Sequence, residues 1–266
     1  MYKWLFFFYV YSFLGWCFES TYVSVKEKHW VNRGFMRGPF LPIYGSGAVM
    51  MLVVSAPFQD NMLLTYLAGC VGATILEYLV GTLTEALFRV RYWDYSDKFL
   101  NFQGQICLSS TIAWGFFTIL MTEVIHRPIE HFAQWIPDGI LFVLTLLLTV
   151  YFSSDFSLSF KAALDMRDVL IRMESAKQEL ERMQKRLDVL IAVADQALIE
   201  EREELREKFR ILHDRRLQLK SQHDYYKRRL ILDNPGMISR KFKDALEELK
   251  EAAKEHVREY KESKEQ

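Results

Sequence analysis

The sequence predicts an all-α fold: a polytopic membrane helix bundle of about five transmembrane helices, followed by a long cytoplasmic coiled-coil helix and a shorter return helix. Three observations carry that expectation. The first 153 of the 266 residues hold 9 Lys and Arg and 10 Asp and Glu, whereas the remaining 113 hold 25 and 24. The zero formal charge therefore averages two parts suited to different solvents. The first part contains uncharged apolar runs such as 140–152, as a chain crossing lipid requires. The second repeats apolar residues at alternating steps of three and four, which gives a helix one narrow apolar edge. Residues 1–153 are accordingly read as a transmembrane domain and 154–266 as a cytoplasmic helical tail. This division argues against a soluble one-domain enzyme, a secreted disulfide scaffold and a free nucleic-acid-binding protein.

A hydrocarbon core of about 30 Å needs about 20 helical residues, and that ruler places crossings near 3–24, 41–58, 62–89, 107–125 and 136–153. The first starts at Trp4 and keeps Glu19 and Tyr22 where a signal peptidase needs small residues, so it reads as a retained helix. Ser12, Gly15, Trp16 and Glu19 form one stripe along it. Pro39 and Pro42 suit the start of the second crossing, where a missing N–H costs little. On the third, Glu77, Gly81, Glu85 and Arg89 follow at four-residue steps, with Glu85 and Arg89 in the favourable order for an ion pair. Lys26, Lys28, Arg33 and Arg37 lie in the first connection, Arg89, Arg91 and Lys98 in the third, and the second has no cation. The positive-inside rule then sets the N-terminus outside and the tail in the cytoplasm.

In the tail, Met173, Ala176, Leu180, Met183, Leu187, Leu190, Ala194 and Ala197 form a heptad seam. It resumes out of phase as Leu198, Leu205, Leu212 and Leu219, which reads as a stutter near Glu200 in one long helix over 160–231, on the order of 100 Å in length. Asp233-Asn234-Pro235-Gly236 is a turn signal, and Phe242, Leu246, Leu249, Ala253, Val257 and Tyr260 mark an amphipathic return helix. A narrow seam does not stabilise a lone helix in water. The two helices therefore close as an antiparallel hairpin, pair with a second copy as a homo-oligomer, or do both. Lys220, Lys227, Arg228 and Arg229 make a basic cluster, but acidic residues interleave the surrounding helix, so no nucleic-acid partner is expected.

Ionisable side chains at membrane depth are costly and turn toward protein or a watery cavity. Glu19 and Glu77 stand about 22 and 24 Å from the outer ends of their crossings, a common level in the cytoplasmic half. They act either as protonated or paired struts between helices or as a polar site. The stretch 32–45 interrupts an apolar region with two prolines and three glycines, and such backbone survives at depth only against protein or water. Arg33 and Arg37, just before the second crossing, either anchor at the interface or hold an anion at the helix N-terminus. The connection 91–105 mixes aromatics, amides and Asp94; it serves as a headgroup-level belt or covers the glutamates from the cytoplasm. The candidate substrate-binding set is therefore Glu19, Glu77, Glu85, Arg33, Arg37, Asp94 and Asn101.

Several of these residues also stand in longer motifs. Tyr11-Ser12-Phe13-Leu14-Gly15-Trp16 with Glu19, Asn32-Arg33-Gly34-Phe35 with Gly38-Pro39, and Pro42-Ile43-Tyr44-Gly45 come first. Leu76-Glu77, Glu85, Trp93-Asp94-Tyr95-Ser96, Asn101, Gly104 and Trp114-Gly115 follow. Together they resemble the bacterial membrane proteins called putative ABC-transporter type IV, or putative ABC transporter permeases. The resemblance covers about 11–115, and the turn at Asn234-Pro235 fits it too. It implies a multi-pass protein of the bacterial plasma or inner membrane with a role in transport, and it brings no catalytic or ligand residues with it.

No GxxxxGK[ST] run occurs, so ATP hydrolysis would require a separate ATPase subunit. GxSxG and HExxH are absent as well, and neither a catalytic residue nor a cofactor is expected. Glu123, His126, Glu130 and His131 read as exposed loop charges rather than metal ligands, and Cys17, Cys70 and Cys107 as buried thiols. The leading expectation is a permease component with a cytoplasm-facing polar cavity between Glu19 and Glu77, in contact with the lipid bilayer. A membrane-anchored scaffold that recruits a soluble partner through its coiled coil is the alternative. A third is a lipid-modifying enzyme with Glu19 or Glu77 as general base.

Overall fold

The computed structural model describes residues 2–193, 199–221 and 225–265. These residues form nine α-helices, and the only extended pairing among them is two isolated bridges, Arg91 with Ile238 and Phe102 with Ile106. The fold is all-α. The chain divides into two units, one of Met1–Lys161 with Asp233–Ile238 and one of Ala162–Leu232 with Ser239–Gln266. Each has its own physical logic.

The first unit begins with α1 (Tyr2–Glu27), α2 (Pro42–Ser55, followed by the 3-10 turn Ala56–Phe58) and α3 (Met62–Phe88). Asn61 caps α3 by accepting Leu64 N–H at 3.1 Å, and Arg89 closes it in the left-handed region at φ 62°. Next come α4 (Leu108–Leu120), a π turn (Met121–Ile125), α5 (His126–Trp135) and the first part of α6 (Asp138–Val193). The stretch 126–135, expected as an outer loop, is thus helical. The wider π turn falls just before Pro128, where a residue without N–H interrupts the hydrogen-bond ladder.

The faces of α3 are inverted relative to a soluble helix. Leu63, Leu67, Val71, Ile75, Leu79 and Leu83, spaced four apart along one side, are all exposed, whereas Thr65, Gly69, Gly72, Ala73, Glu77 and Gly81 are buried. Only a nonaqueous surrounding makes that arrangement favourable. Among the described residues three helices are long and apolar enough to cross a membrane, Met62–Phe88, Leu108–Trp135 and Asp138–Ala192, and Pro42–Phe58 is a shorter apolar helix. With little hydrophobic drive between helices in lipid, contact depends on close approach of small residues. A Cβ on Gly15 of α1 would collide with Tyr44 of α2, and one on Gly69 of α3 with Thr118 of α4. Phe6, Phe7, Tyr11, Ala48, Leu52, Ala133 and Leu141 form one buried apolar cluster.

The second unit holds the rest of α6, then α7 (Ile199–Ser221), α8 (Tyr225–Leu232) and α9 (Lys243–Glu265). The single helix expected over 160–231 is divided here. Arg186 Nη2 lies 2.5 Å from Glu201 Oε1, yet 15 residues of continuous helix would separate their backbones by about 22 Å, beyond the reach of the two side chains. The chain has therefore reversed between them. The stutter expected near Glu200 involves Ala194, Ala197 and Leu198 of the seam, which lie outside the described residues. Met173, Ala176, Leu180, Leu187 and Leu190 are buried, as are Phe242, just before α9, and Leu246, Leu249 and Ala253 on it. Lys177–Asp244 and Arg216–Glu248 ion pairs tie α9 to α6 and to α7.

Candidate functional site

The non-helical stretch after α1 obtains its hydrogen bonds from neighbouring elements. Val31 N–H donates to Ser24 Oγ at 2.9 Å and Arg33 N–H to Ser20 Oγ at 3.1 Å, both on α1. Leu41 N–H reaches the Ser12 carbonyl at 2.9 Å, and Gly38 N–H reaches Asp155 Oδ2 of α6 at 2.7 Å. Asn32 joins the ends, accepting from Trp16 Nε1 at 2.5 Å and donating to the Arg37 carbonyl at 2.8 Å. Much of the irregular backbone among apolar helices thereby finds its partners within the protein. The result fixes Arg33 beside α1: its Nε lies 3.9 Å from Glu19 Oε2, and its Nη1 donates to Asn234 Oδ1 at 2.6 Å. Asn234 Nδ2 in turn donates to the Gly34 carbonyl at 3.0 Å.

Glu19 and Glu77 are each held by a tyrosine from another element. Tyr44 of α2 donates to Glu19 Oε1 at 2.8 Å. Tyr95, on the segment between α3 and α4, donates to Glu77 Oε1 at 3.0 Å, while Trp114 Nε1 and Ser110 Oγ of α4 donate to Glu77 Oε2 at 3.0 and 3.2 Å. Glu77 is 5% exposed and takes only neutral donors among the described residues, whereas Glu19 faces a guanidinium. Tyr95 is electrostatically linked to both: burial, then the charge and hydrogen bond of Glu77, and more weakly Glu19, raise its hydroxyl above the ordinary tyrosine value. Burial likewise raises Tyr92, whose hydroxyl oxygen is enclosed with no hydrogen-bond partner among the described residues.

Arg91 organises the segment that carries Tyr95. It is 3% exposed and pairs with Glu85 at 2.5 Å and Asp94 at 3.5 Å while donating to the Gln103 carbonyl at 2.9 Å. Gln105 Nε2 adds a bond to Glu85 Oε2 at 2.8 Å, and its side chain sits against Gly81, where a Cβ would collide with Gln105 Oε1. Asn101 shapes the same segment, donating to the Ser96 and Lys98 carbonyls and accepting from Gly104 N–H. The segment covers the Glu77–Glu85 stripe of α3. Glu85 meets Arg91 here because α3 ends in a left-handed cap at Arg89, which takes the following residues off the helical stripe.

A cavity of about 780 Å³ lies within this unit. Glu19, Arg33, Tyr44, Glu77, Tyr92 and Tyr95 are its principal polar lining residues, and most of the remainder is aromatic or aliphatic, including Phe18, Met51, Leu83, Phe88, Trp93, Trp114 and Phe117. Asn234, from the turn that rejoins the unit, also lines it. Of the seven residues singled out from the sequence, Glu19, Glu77 and Arg33 line this cavity. Glu85, Asp94 and Asn101 sit in the covering segment, and Arg37 presents its carbonyl to Asn32.

Residues 6–160 match the family described as Putative ABC-transporter type IV. The chain belongs to that family. Comparison with curated proteins and with solved structures gives no match. Family membership and the apolar helices make this a membrane protein related to ABC transporters. The family match takes in every described cavity-lining residue except Asn234, so the pocket is built almost wholly from the family segment.

The residues that complete the site were present in the sequence without a role. Tyr44, Tyr95 and Trp114 stood in recognisable motifs, but their partners lie 25, 18 and 37 positions away, so no local spacing connects them. Asp155 fell beyond the expected end of the membrane part. Among the described residues no three His, Cys, Asp or Glu side chains converge as a metal site. His126 is bonded to Tyr11 Oη at 2.7 Å, and Glu123 pairs with Arg127. Cys107 is buried and caps α4, whereas Cys17 and Cys70 are only half-buried, less enclosed than their apolar surroundings suggest.

Proposed function

We propose that this protein is the membrane-spanning component of a transport system, a permease-type subunit whose ATPase, where ATP is used, is a separate polypeptide. In this reading the cavity is the cargo site and opens toward the cytoplasm. The N-terminus lies outside and the charged tail inside, in agreement with the cations of the first and third connections. The observation that carries the reading is one cavity of about 780 Å³ onto which Glu19 and Glu77 both abut, each fixed by a tyrosine. A structural strut between helices has no need of such a space; a cargo site does.

Glu19 and Glu77 have different tasks in this scheme. Glu19 shares its charge with Arg33, which orients polar groups at one end, while Glu77 has no basic partner among the described residues and supplies uncompensated negative charge when ionised. Arg91, Glu85, Asp94 and Asn101 keep the covering segment in place, and Arg37 belongs to the stretch that positions Arg33. Proteoliposome flux tests this. Glu77→Gln and Glu19→Gln each lower uptake or efflux at least tenfold with insertion unchanged. Unchanged flux in both variants removes the glutamates from transport.

A further inference from the structure

We propose that the cavity binds a lipophilic organic cation and that Glu77 supplies the counter-charge. The inference rests on the permease reading only for calling the ligand cargo, since binding can be measured without flux. The lining contains two carboxylates, Glu19 and Glu77, and one guanidinium, Arg33, so with both acids ionised its balance is one negative charge. Arg33 is the partner of Glu19, which leaves the imbalance at Glu77.

The donors around Glu77 are arranged for an anion. Trp114 Nε1–H can only donate, so Glu77 Oε2 must accept; Tyr95 and Ser110 add two more donors. An anion stabilised by neutral dipoles in an apolar enclosure attracts a cation more strongly than it would in water. The rest of the lining decides which kind. A small inorganic cation must exchange its hydration shell for several oxygen ligands, and among the described residues no cluster of metal-ligating side chains exists. A bulky organic cation is weakly hydrated and gains from burial against Phe18, Phe88, Trp93 and Trp114, whose ring faces also attract positive charge. Tyr92 Oη, enclosed and unbonded among the described residues, is available to accept from an N–H of such a ligand. The volume is within the range of about 300 to 1,000 Å³ usual for small-molecule sites.

Gly47 of α2 provides a test that leaves the acidic residues untouched. It lines the cavity, and a Cβ built on it meets nothing within 4 Å, so a larger side chain there enters the empty space. The full-length protein in nanodiscs is titrated with tetraphenylphosphonium and with tetraphenylborate, ions of one shape and opposite charge, by equilibrium dialysis. The phosphonium binds at least tenfold more tightly than the borate, Glu77→Gln loses at least tenfold of that binding, and Gly47→Leu abolishes it while keeping the thermal transition of the parent. Equal binding of the two ions overturns the proposal. So does phosphonium binding that survives Gly47→Leu, because the ion is then bound elsewhere. The preference of the unmodified protein decides the question even where Glu77→Gln does not fold. Phosphonium that binds but is never moved supports this inference while counting against the permease reading; flux of another solute without phosphonium binding does the reverse.

Discussion

Glu77 shows how much of this site rests on single side chains. Its carboxylate takes donors from three residues on two other parts of the chain, and the neighbouring Tyr95 is the only one of them in a loop. Replacing Trp114 by Phe keeps the ring and removes one donor from a buried acceptor, so thermal unfolding in detergent should reveal a loss of about 1–3 kcal/mol. Trp114→Phe that melts like the parent would mean that the indole bond does not support the carboxylate. That Glu19 and Glu77 stand on helices was legible from the apolar runs around them. The identity of their partners was not. A tyrosine 18 or 25 positions away is brought near by a change of direction in the chain, and periodicity carries no information across such a change. For Glu85, the stripe pointed to Arg89, but the left-handed conformation at Arg89 delivered Arg91 instead.

Among the elements, the helices of the first unit follow their apolar runs closely, since a long uncharged stretch has few alternatives in lipid. The tail is different. A displaced seam is compatible with a stutter or with a hairpin, and only a contact such as Arg186–Glu201 separates the two. Arg186→Cys combined with Glu201→Cys, with the native cysteines replaced by serine, should cross-link within one chain through a short bismaleimide. A continuous helix would hold the positions about 22 Å apart and give no such product. The exposed Lys177–Asp244 pair adds a pH signature to α9. The hydrogen bond to Lys177 holds Asp244 below the ordinary carboxylate value of 3.8, and the same bond raises Lys177 above 10.5. A depressed carboxylate stabilises the folded state above its unfolded value and loses that contribution as pH falls through the folded value; a raised lysine contributes below 10.5 and loses it as pH climbs higher. Hydrogen-exchange protection of α9 should therefore be slightly lower in Asp244→Asn than in the parent near pH 6, and the difference should vanish below the Asp244 value. A difference that persists there would assign the effect to packing.

At the scale of the molecule, the membrane unit is built from a family segment plus six residues supplied by the far end of the chain. Asp233–Ile238 belong to it: Ile238 exchanges two backbone hydrogen bonds with Arg91, at 2.7 and 2.9 Å, and Asn234 is clasped by Arg33 and Gly34. The chain therefore leaves this unit after Lys161 and re-enters it at Asp233. A single protease cut within 162–232 should leave both pieces with the vesicles after a salt wash, because the downstream piece keeps the Arg91–Ile238 and Arg33–Asn234 bonds and the Lys177–Asp244 pair of α9 with α6. Prompt loss of that piece would show that these contacts do not hold it.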